Sequence, residues 1–171
     1  MAPINKLPPN WQIYRNPSRH HGVALISHKS LNPTIIFKDD EFRVLLFSIE
    51  GPFGLLTIFL GYWPATSKMD RKEFSQKHKD LLLKADIILG DFNSCLDWVS
   101  QSNWTSNHGR GGLKKILRSF QDPVDFAPPG HDGLFTNHHG AAVSRIDRAH
   151  AKPYVPLHFV NNMPFPRKES H

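Results

Sequence analysis

The sequence predicts an α/β fold in which buried strands are layered against helices. The adjacent runs Phe42–Ile49 and Leu55–Leu60 are apolar on both faces, a pattern that is typical of strands covered on both sides. The stretches that follow Ser67 and Gly111 instead repeat their apolar residues at helical spacing. Buried strands that alternate with amphipathic helices indicate a layered α/β sandwich.

Four short apolar runs before residue 61 are predicted strands. The first two are Gly22–Ile26 and Thr34–Phe37, each bounded by polar residues or proline. The next two, Phe42–Ile49 and Leu55–Leu60, flank the segment Glu50–Gly54, which contains two glycines and a proline. Because these residue types favour tight connections, the last two strands are predicted to form a hairpin.

Two helices and one further strand are predicted in the middle of the chain. Ser67 begins an amphipathic helix whose inward positions are Phe74, His78, Leu81, Leu82 and Ala85. A second helix follows Gly111 and ends before Pro123, with its apolar face formed by Leu113, Ile116, Leu117 and Phe120. Between the helices, residues 85–93 form a predicted buried strand that ends in Gly90-Asp91-Phe92-Asn93.

Length and composition favour a single folded domain over residues 1–171, with coil at residues 1–10 and a tail at residues 161–171. The net charge of +6 favours an anionic partner such as DNA. Cys95 is the only cysteine, which suits a nuclear or cytoplasmic protein. No signal peptide precedes residue 16, and the apolar run Phe53–Ala65 is shorter than the roughly 20 residues that a membrane span needs. We therefore expect neither secretion nor a membrane partner.

Asp91 and Asn93 are candidate catalytic residues. Residues two positions apart at the end of a strand project to the same side. An aspartate there can orient or deprotonate a water molecule, and an asparagine amide can donate to a phosphate oxygen. Taken alone, such a pair is more often an ordinary turn, in which both side chains bond nearby backbone.

Two further groups of residues bear on chemistry. Ser144–Arg148 places Asp147 between two arginines, a pattern that is usually a surface salt-bridge patch. Leu60–Pro64 contains Tyr62, whose hydroxyl could reach a phosphate, although tyrosines in such places are usually half-buried core residues. Neither group specifies a reaction by itself.

In order along the chain, these groups resemble the endonuclease/exonuclease/phosphatase superfamily. Arg19–Ile26 resembles its "R-x-G-G-V-A-I-L" pattern, Leu56–Pro64 its "T-I-x-N-V-Y-x-P" strand with Gly61 in place of the usual valine, and Gly90–Asn93 its "G-D-F-N" motif. Gly111–Asp122, Phe135-Thr136 and Ser144–Arg148 follow as its later helix and strands. The "S-R-I-D-R" strand is typical of non-LTR retrotransposon endonuclease domains. The resemblance implies a four-layered α/β sandwich of the deoxyribonuclease-like type, lacking its first strands.

The resemblance also implies roles for residues. Asp91 would orient or deprotonate the nucleophilic water, while Asn93 and Tyr62 would contact the scissile phosphate. Asp147 would hold a histidine from a C-terminal motif, for which His171 in Glu169-Ser170-His171 is the candidate. For nucleic-acid binding the predicted residues are Arg110, Lys114, Lys115 and Arg145.

The family's metal-binding glutamate has no counterpart in the sequence, and the protein ligands of a metal are therefore unknown. The family implies Mg²⁺, but Glu41, Glu50 and Glu73 fall at the wrong places in the motif order. Because the cation neutralises phosphoryl charge and activates water, its chief ligand matters to the rate. We expect a weak or inactive enzyme as the chain stands, and the chain is expected to be part of a larger polypeptide.

Other reactive residue types have ordinary explanations. The eleven histidines include no pair at zinc-ligand spacing on a predicted helix. Cys95 has no basic neighbour in sequence and is expected to be a packed thiol.

The leading hypothesis for function is Mg²⁺-dependent hydrolysis of DNA phosphodiester bonds, of the retrotransposon endonuclease kind. Two alternatives remain open at this stage. One is a remnant that binds nucleic acid without catalysis, and the other is a phosphatase acting on inositol phosphate or sphingolipid.

Overall fold

The computed structural model describes residues 7–15, 22–51, 54–94, 110–123, 137–139, 142–144 and 146–156. The described strands are β1 Trp11–Tyr14, β2 Leu25–His28, β3 Thr34–Lys38, β4 Val44–Gly51, β5 Gly54–Tyr62, β6 Ile87–Asp91, β7 Asn137–His139, β8 Ala142–Ser144 and β9 Asp147–Ala151. The helices are α1 Lys68–Lys77, α2 Lys79–Lys84 and α3 Arg110–Leu117, with a 3₁₀ turn at Lys29–Leu31. Within the described residues, no helix is long and apolar enough to cross a membrane.

A five-stranded mixed sheet in the order β3-β4-β5-β6-β9 organises the fold. The β4–β5 hairpin is antiparallel from Val44–Gly61 to Gly51–Gly54, as the sequence predicts. The β5–β6 pair is parallel, so α1 and α2 form the crossover between them. β9 then pairs antiparallel with β6. The predicted mixture of layered strands and helices is thus confirmed.

The helical face of this sheet holds the larger core. Val44, Phe59 and Ile88 point to this face and are completely buried. The helices cover it with Leu82 from α2 and with Leu113, Ile116 and Leu117 from α3. Phe120, predicted on the same helix, joins this core from the segment after α3 has ended at Leu117.

The opposite face of the sheet carries a smaller apolar cluster built on Leu45, Phe47 and Ile58. Val23 and Leu25, at the start of the β1–β2 hairpin, pack on this cluster. The hairpin therefore covers the face on which the odd-numbered residues of β4 and the even-numbered residues of β5 lie.

Three local predictions were wrong. The single helix after Ser67 is two helices, because His78 leaves helical geometry (φ −103°, ψ 14°) and is buried against the rings of Phe37 and Phe74. The predicted strand Gly22–Ile26 is observed further along the chain, as β2 at Leu25–His28. It pairs with β1, which was not predicted to be a strand.

The third wrong prediction concerns the "S-R-I-D-R" segment, which belongs to two strands instead of one. β8 ends at Ser144, and β9 begins at Asp147.

Candidate active site

Three of the predicted catalytic residues lie side by side across the end of the central sheet. Tyr62 of β5 is paired with Asp91 of β6, and Asp91 is paired with Asp147 of β9. Side chains at paired positions project from the same face, with Cβ atoms about 4.5–5.5 Å apart in an antiparallel pair. We call these three residues the catalytic row.

A cavity of about 440 Å³ lies over the catalytic row. Its lining includes all three residues of the row, together with Gly22–Ala24 from the segment that leads into β2. That segment is held to the sheet by the bond from the Val23 N–H to the Phe42 carbonyl, at 2.7 Å. The cavity thus lies between the end of the five-stranded sheet and the segment before β2, and the contribution of Gly22–Ala24 to its wall was not predicted from the sequence.

Asp91 is half-buried at the centre of the catalytic row. Burial raises the pKa of its carboxyl group, and the neighbouring charge of Asp147 raises it further. The backbone N–H of Asn93 opposes both effects by donating to Asp91 Oδ1 at 2.8 Å. A carboxylate with a raised pKa is a better proton acceptor, which suits a general base.

Asn93 lies just beyond the end of β6. Its backbone takes the left-handed conformation (φ 44°), so it does not continue the alternation of the strand. Its side-chain Nδ2 donates to the carbonyl of Trp63 at 2.8 Å. The bond from the Asn93 N–H to Asp91 Oδ1 is that of a local turn, which is the kind of bond that the alternative interpretation of this pair predicts. The bond to Trp63 is long-range and ties the loop after β6 to the end of β5. A contact of Asn93 with phosphate stays a prediction.

Two glycines allow the strands that carry the catalytic row to approach closely. Gly61 and Gly90 are paired one position before Tyr62 and Asp91. Gly90 has φ +153°, and a Cβ atom there would lie 1.9 Å from the carbonyl oxygen of Gly61. A Cβ atom on Gly61 would lie 2.6 Å from the buried ring of Trp63. The glycine at position 61, where the family usually has valine, therefore fits the bulky ring behind it.

Trp63 fills the space behind the catalytic row. It is fully buried, and its ring lies 4.3 Å from that of Phe92, centroid to centroid. The indole N–H donates to Ser75 Oγ at 2.9 Å, and the Trp63 backbone N–H donates to the Asp91 carbonyl at 2.9 Å. α1 is thereby tied to the ends of both β5 and β6.

Alternation along β9 separates Asp147 from its neighbour Arg148. Asp147 is exposed and faces the cavity. The guanidinium of Arg148 is buried on the helical side, where it pairs with Asp122 at 3.2 Å. Arg148 therefore anchors the strand to the segment after α3, and it does not belong to an exposed salt-bridge patch.

The other predicted site residues are not part of the catalytic row as described. His171 and Arg145 lie outside the described residues, and only the backbone of Arg110 is described. Lys114 and Lys115 are exposed on α3, which covers the helical face of the sheet. The catalytic row projects from the other face. A DNA duplex that touched both the two lysines and the catalytic row would therefore have to cross the end of the sheet.

The described residues do not contain a complete site for the Mg²⁺ that the resemblance implies. No three His, Cys, Asp or Glu side chains within the described ranges are grouped so that they could hold a metal ion. Asp91 and Asp147 offer two carboxylates, which is fewer oxygen ligands than Mg²⁺ takes, the remainder coming from water or phosphate.

Residues 2–168 match the model of the endonuclease/exonuclease/phosphatase family. The chain belongs to this family. No curated protein matches the chain significantly. The family assignment agrees with the order of motifs in the sequence.

Solved structures of family members share the fold. The endonuclease domain of TRAS1, a telomere-specific non-LTR retrotransposon, is 14% identical with a TM-score of 0.54, over 84% of this chain and 68% of that one. The D. rerio TDP2 structure, complexed with a single-stranded DNA product, is 11% identical with a TM-score of 0.55, over 84% of this chain and 62% of that one. At these identities the likeness shows the fold alone. The chain thus spans less than two thirds of the length of TDP2.

Proposed function

We propose that this chain hydrolyses phosphodiester bonds in DNA at a low rate, as an endonuclease of the retrotransposon kind. The observation that supports this best is the catalytic row, because it joins a phenol and two carboxylates from three strands over one cavity. The basic net charge suits a polyanionic substrate.

In the proposed reaction, a water molecule attacks the phosphorus atom and the bond to one ester oxygen breaks. Asp91 accepts the proton of the water, which its raised pKa favours. Tyr62 donates a hydrogen bond to a non-bridging oxygen, where negative charge develops. Asp147 would orient His171, which would protonate the leaving oxygen. The reason for expecting a low rate is that the family's metal-binding glutamate has no counterpart in the sequence.

A plasmid-nicking assay with Mg²⁺ tests this proposal. We expect slow nicking that Asp91→Ala reduces by about 10²–10⁴-fold, as loss of a general base does. Asp80→Ala is the matched control, since Asp80 is an exposed aspartate on α2, outside the cavity, and its loss should leave the rate unchanged. Equal nicking by the wild type and Asp91→Ala would contradict the proposal, as would release of inorganic phosphate from phosphomonoesters without any nicking.

A second candidate function is DNA binding without cleavage. It is favoured by the absence of a grouped metal site among the described residues. Binding that is as tight with EDTA as with Mg²⁺, in a protein that never nicks the plasmid, would select this function.

We propose that Lys114 and Lys115 contact DNA phosphates whether or not the chain cleaves the DNA. Fluorescence anisotropy with a labelled duplex at several salt concentrations measures this. Lys114→Ala/Lys115→Ala should make the log–log salt dependence shallower by roughly 2, because each phosphate contact contributes about 0.9 to the slope. Lys79→Ala/Lys84→Ala removes the same charge from exposed positions on α2 and should leave the slope nearer that of the wild type. Identical slopes for the two double variants would show that only net charge matters.

A further inference from the structure

We propose that Arg43 is a positioning residue for Tyr62, holding the phenol ring at the angle from which its hydroxyl reaches the substrate. This inference rests on the proposed function, which gives Tyr62 its part in the reaction. Sequence motifs did not point to Arg43, because the family pattern around Tyr62 lies on β5 and Arg43 lies before the first residue of β4.

The backbone places Arg43 beside the catalytic row. The last pair of the β4–β5 ladder is Val44 with Gly61, and Arg43 stands opposite Tyr62 one position further on. The Tyr62 N–H donates to the Arg43 carbonyl at 2.8 Å. Opposed residues in an antiparallel pair project from the same face. Arg43 thus extends the row by one residue beyond Tyr62, which places a cation at one end of the row and two carboxylates at the other.

The guanidinium of Arg43 is held between two partners. Its Cζ atom lies 5.8 Å from the centroid of the Tyr62 ring, within the range of a cation–π contact. Its Nε lies 2.8 Å from Glu41 Oε2 on the connection between β3 and β4. An arginine fixed through Nε presents its flat face in one orientation, so it can restrict the ring that lies against it.

The Tyr62 hydroxyl needs such restraint if it is to act on a phosphate. It makes no side-chain hydrogen bond to any of the described residues, which leaves it available to a ligand in the cavity. A tyrosine without a bond at its tip is oriented only by what touches its ring. A hydrogen-bond donor that is misplaced by about 1 Å can lose as much as 10²-fold in rate.

A double-mutant cycle on the plasmid-nicking rate tests the proposal. We expect Arg43→Ala to lower kcat about tenfold with little change in KM, and Arg43→Lys to recover part of the loss. In a Tyr62→Phe background, Arg43→Ala should have no further effect, because the hydroxyl that it positions is gone. The same loss in both backgrounds would overturn the proposal, since Arg43 would then act independently of Tyr62.

Lys38→Ala is the matched control for this cycle. Lys38 Nζ lies 5.2 Å from the centroid of the Phe42 ring, so it makes the same type of contact nearby without touching the catalytic row. Its replacement should leave kcat unchanged. If Lys38→Ala lowered kcat as much as Arg43→Ala does, the effect would be due to positive charge in general, and the proposal would be overturned.

A spectroscopic measurement separates this proposal from the proposed function. The chain has three tyrosines, so ¹³C-labelled tyrosine gives few ring signals, and Tyr62→Phe assigns the one of interest. Arg43→Ala should move the Tyr62 ring signals and leave those of Tyr14 and Tyr154 in place. Unchanged Tyr62 signals would overturn the positioning role even in an active enzyme. If Arg43→Ala shifts the Tyr62 signals while the wild-type protein never nicks DNA, the proposed function is refuted and the contact between Arg43 and Tyr62 is supported.

Discussion

Replacing Gly90 with alanine should destabilise the sheet directly beneath the candidate active site. A Cβ atom at this position would lie 1.9 Å from the carbonyl oxygen and 2.8 Å from the carbonyl carbon of Gly61, and Cβ atoms essentially never come closer than 3.0 Å to another heavy atom. Both contacts are to backbone, which cannot rotate away as a side chain can. β5 and β6 would have to separate by about 1 Å at this pair, in a sheet whose strand spacing is normally about 4.8 Å.

The expected cost follows from what that separation breaks. A net contribution of about 1 kcal/mol is lost for each ladder hydrogen bond that is broken beside Gly61. The backbone of Gly90 also has φ +153°, a conformation that costs a residue with a side chain about 1–3 kcal/mol. Together these effects lower the free energy of unfolding by about 2–5 kcal/mol, which is a large part of the roughly 5–15 kcal/mol of a typical domain.

Urea denaturation measures this cost. With an m value of about 1–3 kcal/mol/M, the Gly90→Ala midpoint should fall by at least about 0.7 M. Gly51→Ala is the matched control, because a Cβ atom on Gly51 meets nothing within 4 Å. That variant should stay within about 0.5 kcal/mol of the wild type. Equal midpoints for Gly90→Ala and Gly51→Ala would refute the argument from close strand approach.

Two further predictions concern buried polar groups near the catalytic row. Ser75→Ala removes the acceptor of the buried Trp63 indole N–H, so thermal or urea unfolding should show a loss of about 1–3 kcal/mol, and a neutral effect would mean that the N–H finds another partner. Because burial and then Asp147 raise the pKa of Asp91 above its ordinary value of 3.8, the folded protein holds this proton to higher pH than the unfolded chain does. Stability should therefore fall as pH rises from 3.8 through the raised pKa. Asp91→Asn should lack that part of the fall when wild-type and variant unfolding curves are compared across pH, and parallel curves would contradict the raised pKa.

Local patterns in the sequence predicted those parts of the fold that depend on local chemistry. The β4–β5 hairpin follows from the glycines and proline of its turn, and the buried face of α3 follows from the spacing of Leu113, Ile116 and Leu117. The break at His78 could not be predicted, because it depends on packing against Phe37 from a distant strand. Tertiary contacts there override a continuous helical pattern.

Three residues of the candidate site could be named from the sequence, but their arrangement could not. Tyr62, Asp91 and Asp147 were found through motif resemblance, whereas their common row depends on the register of three strands, which no single motif encodes. Once the ends of β9 are known, the alternation of side chains along the strand places Asp147 and the buried Arg148 on opposite faces of the sheet. Arg43 is opposite Tyr62 only because of the β4–β5 register, so no motif points to it.

The connections between the three strands of the catalytic row also bear on the order of folding. Tyr62 and Asp91 meet only after the chain has made a helical crossover, and Asp147 joins them after a further excursion through α3 and the β7–β8 pair. Each closure carries an entropic cost that is met before the contact is formed, which makes such distant pairings late and slow steps. The row is complete only when β9 docks. We therefore expect any activity of this chain to appear only after β9 has docked on β6.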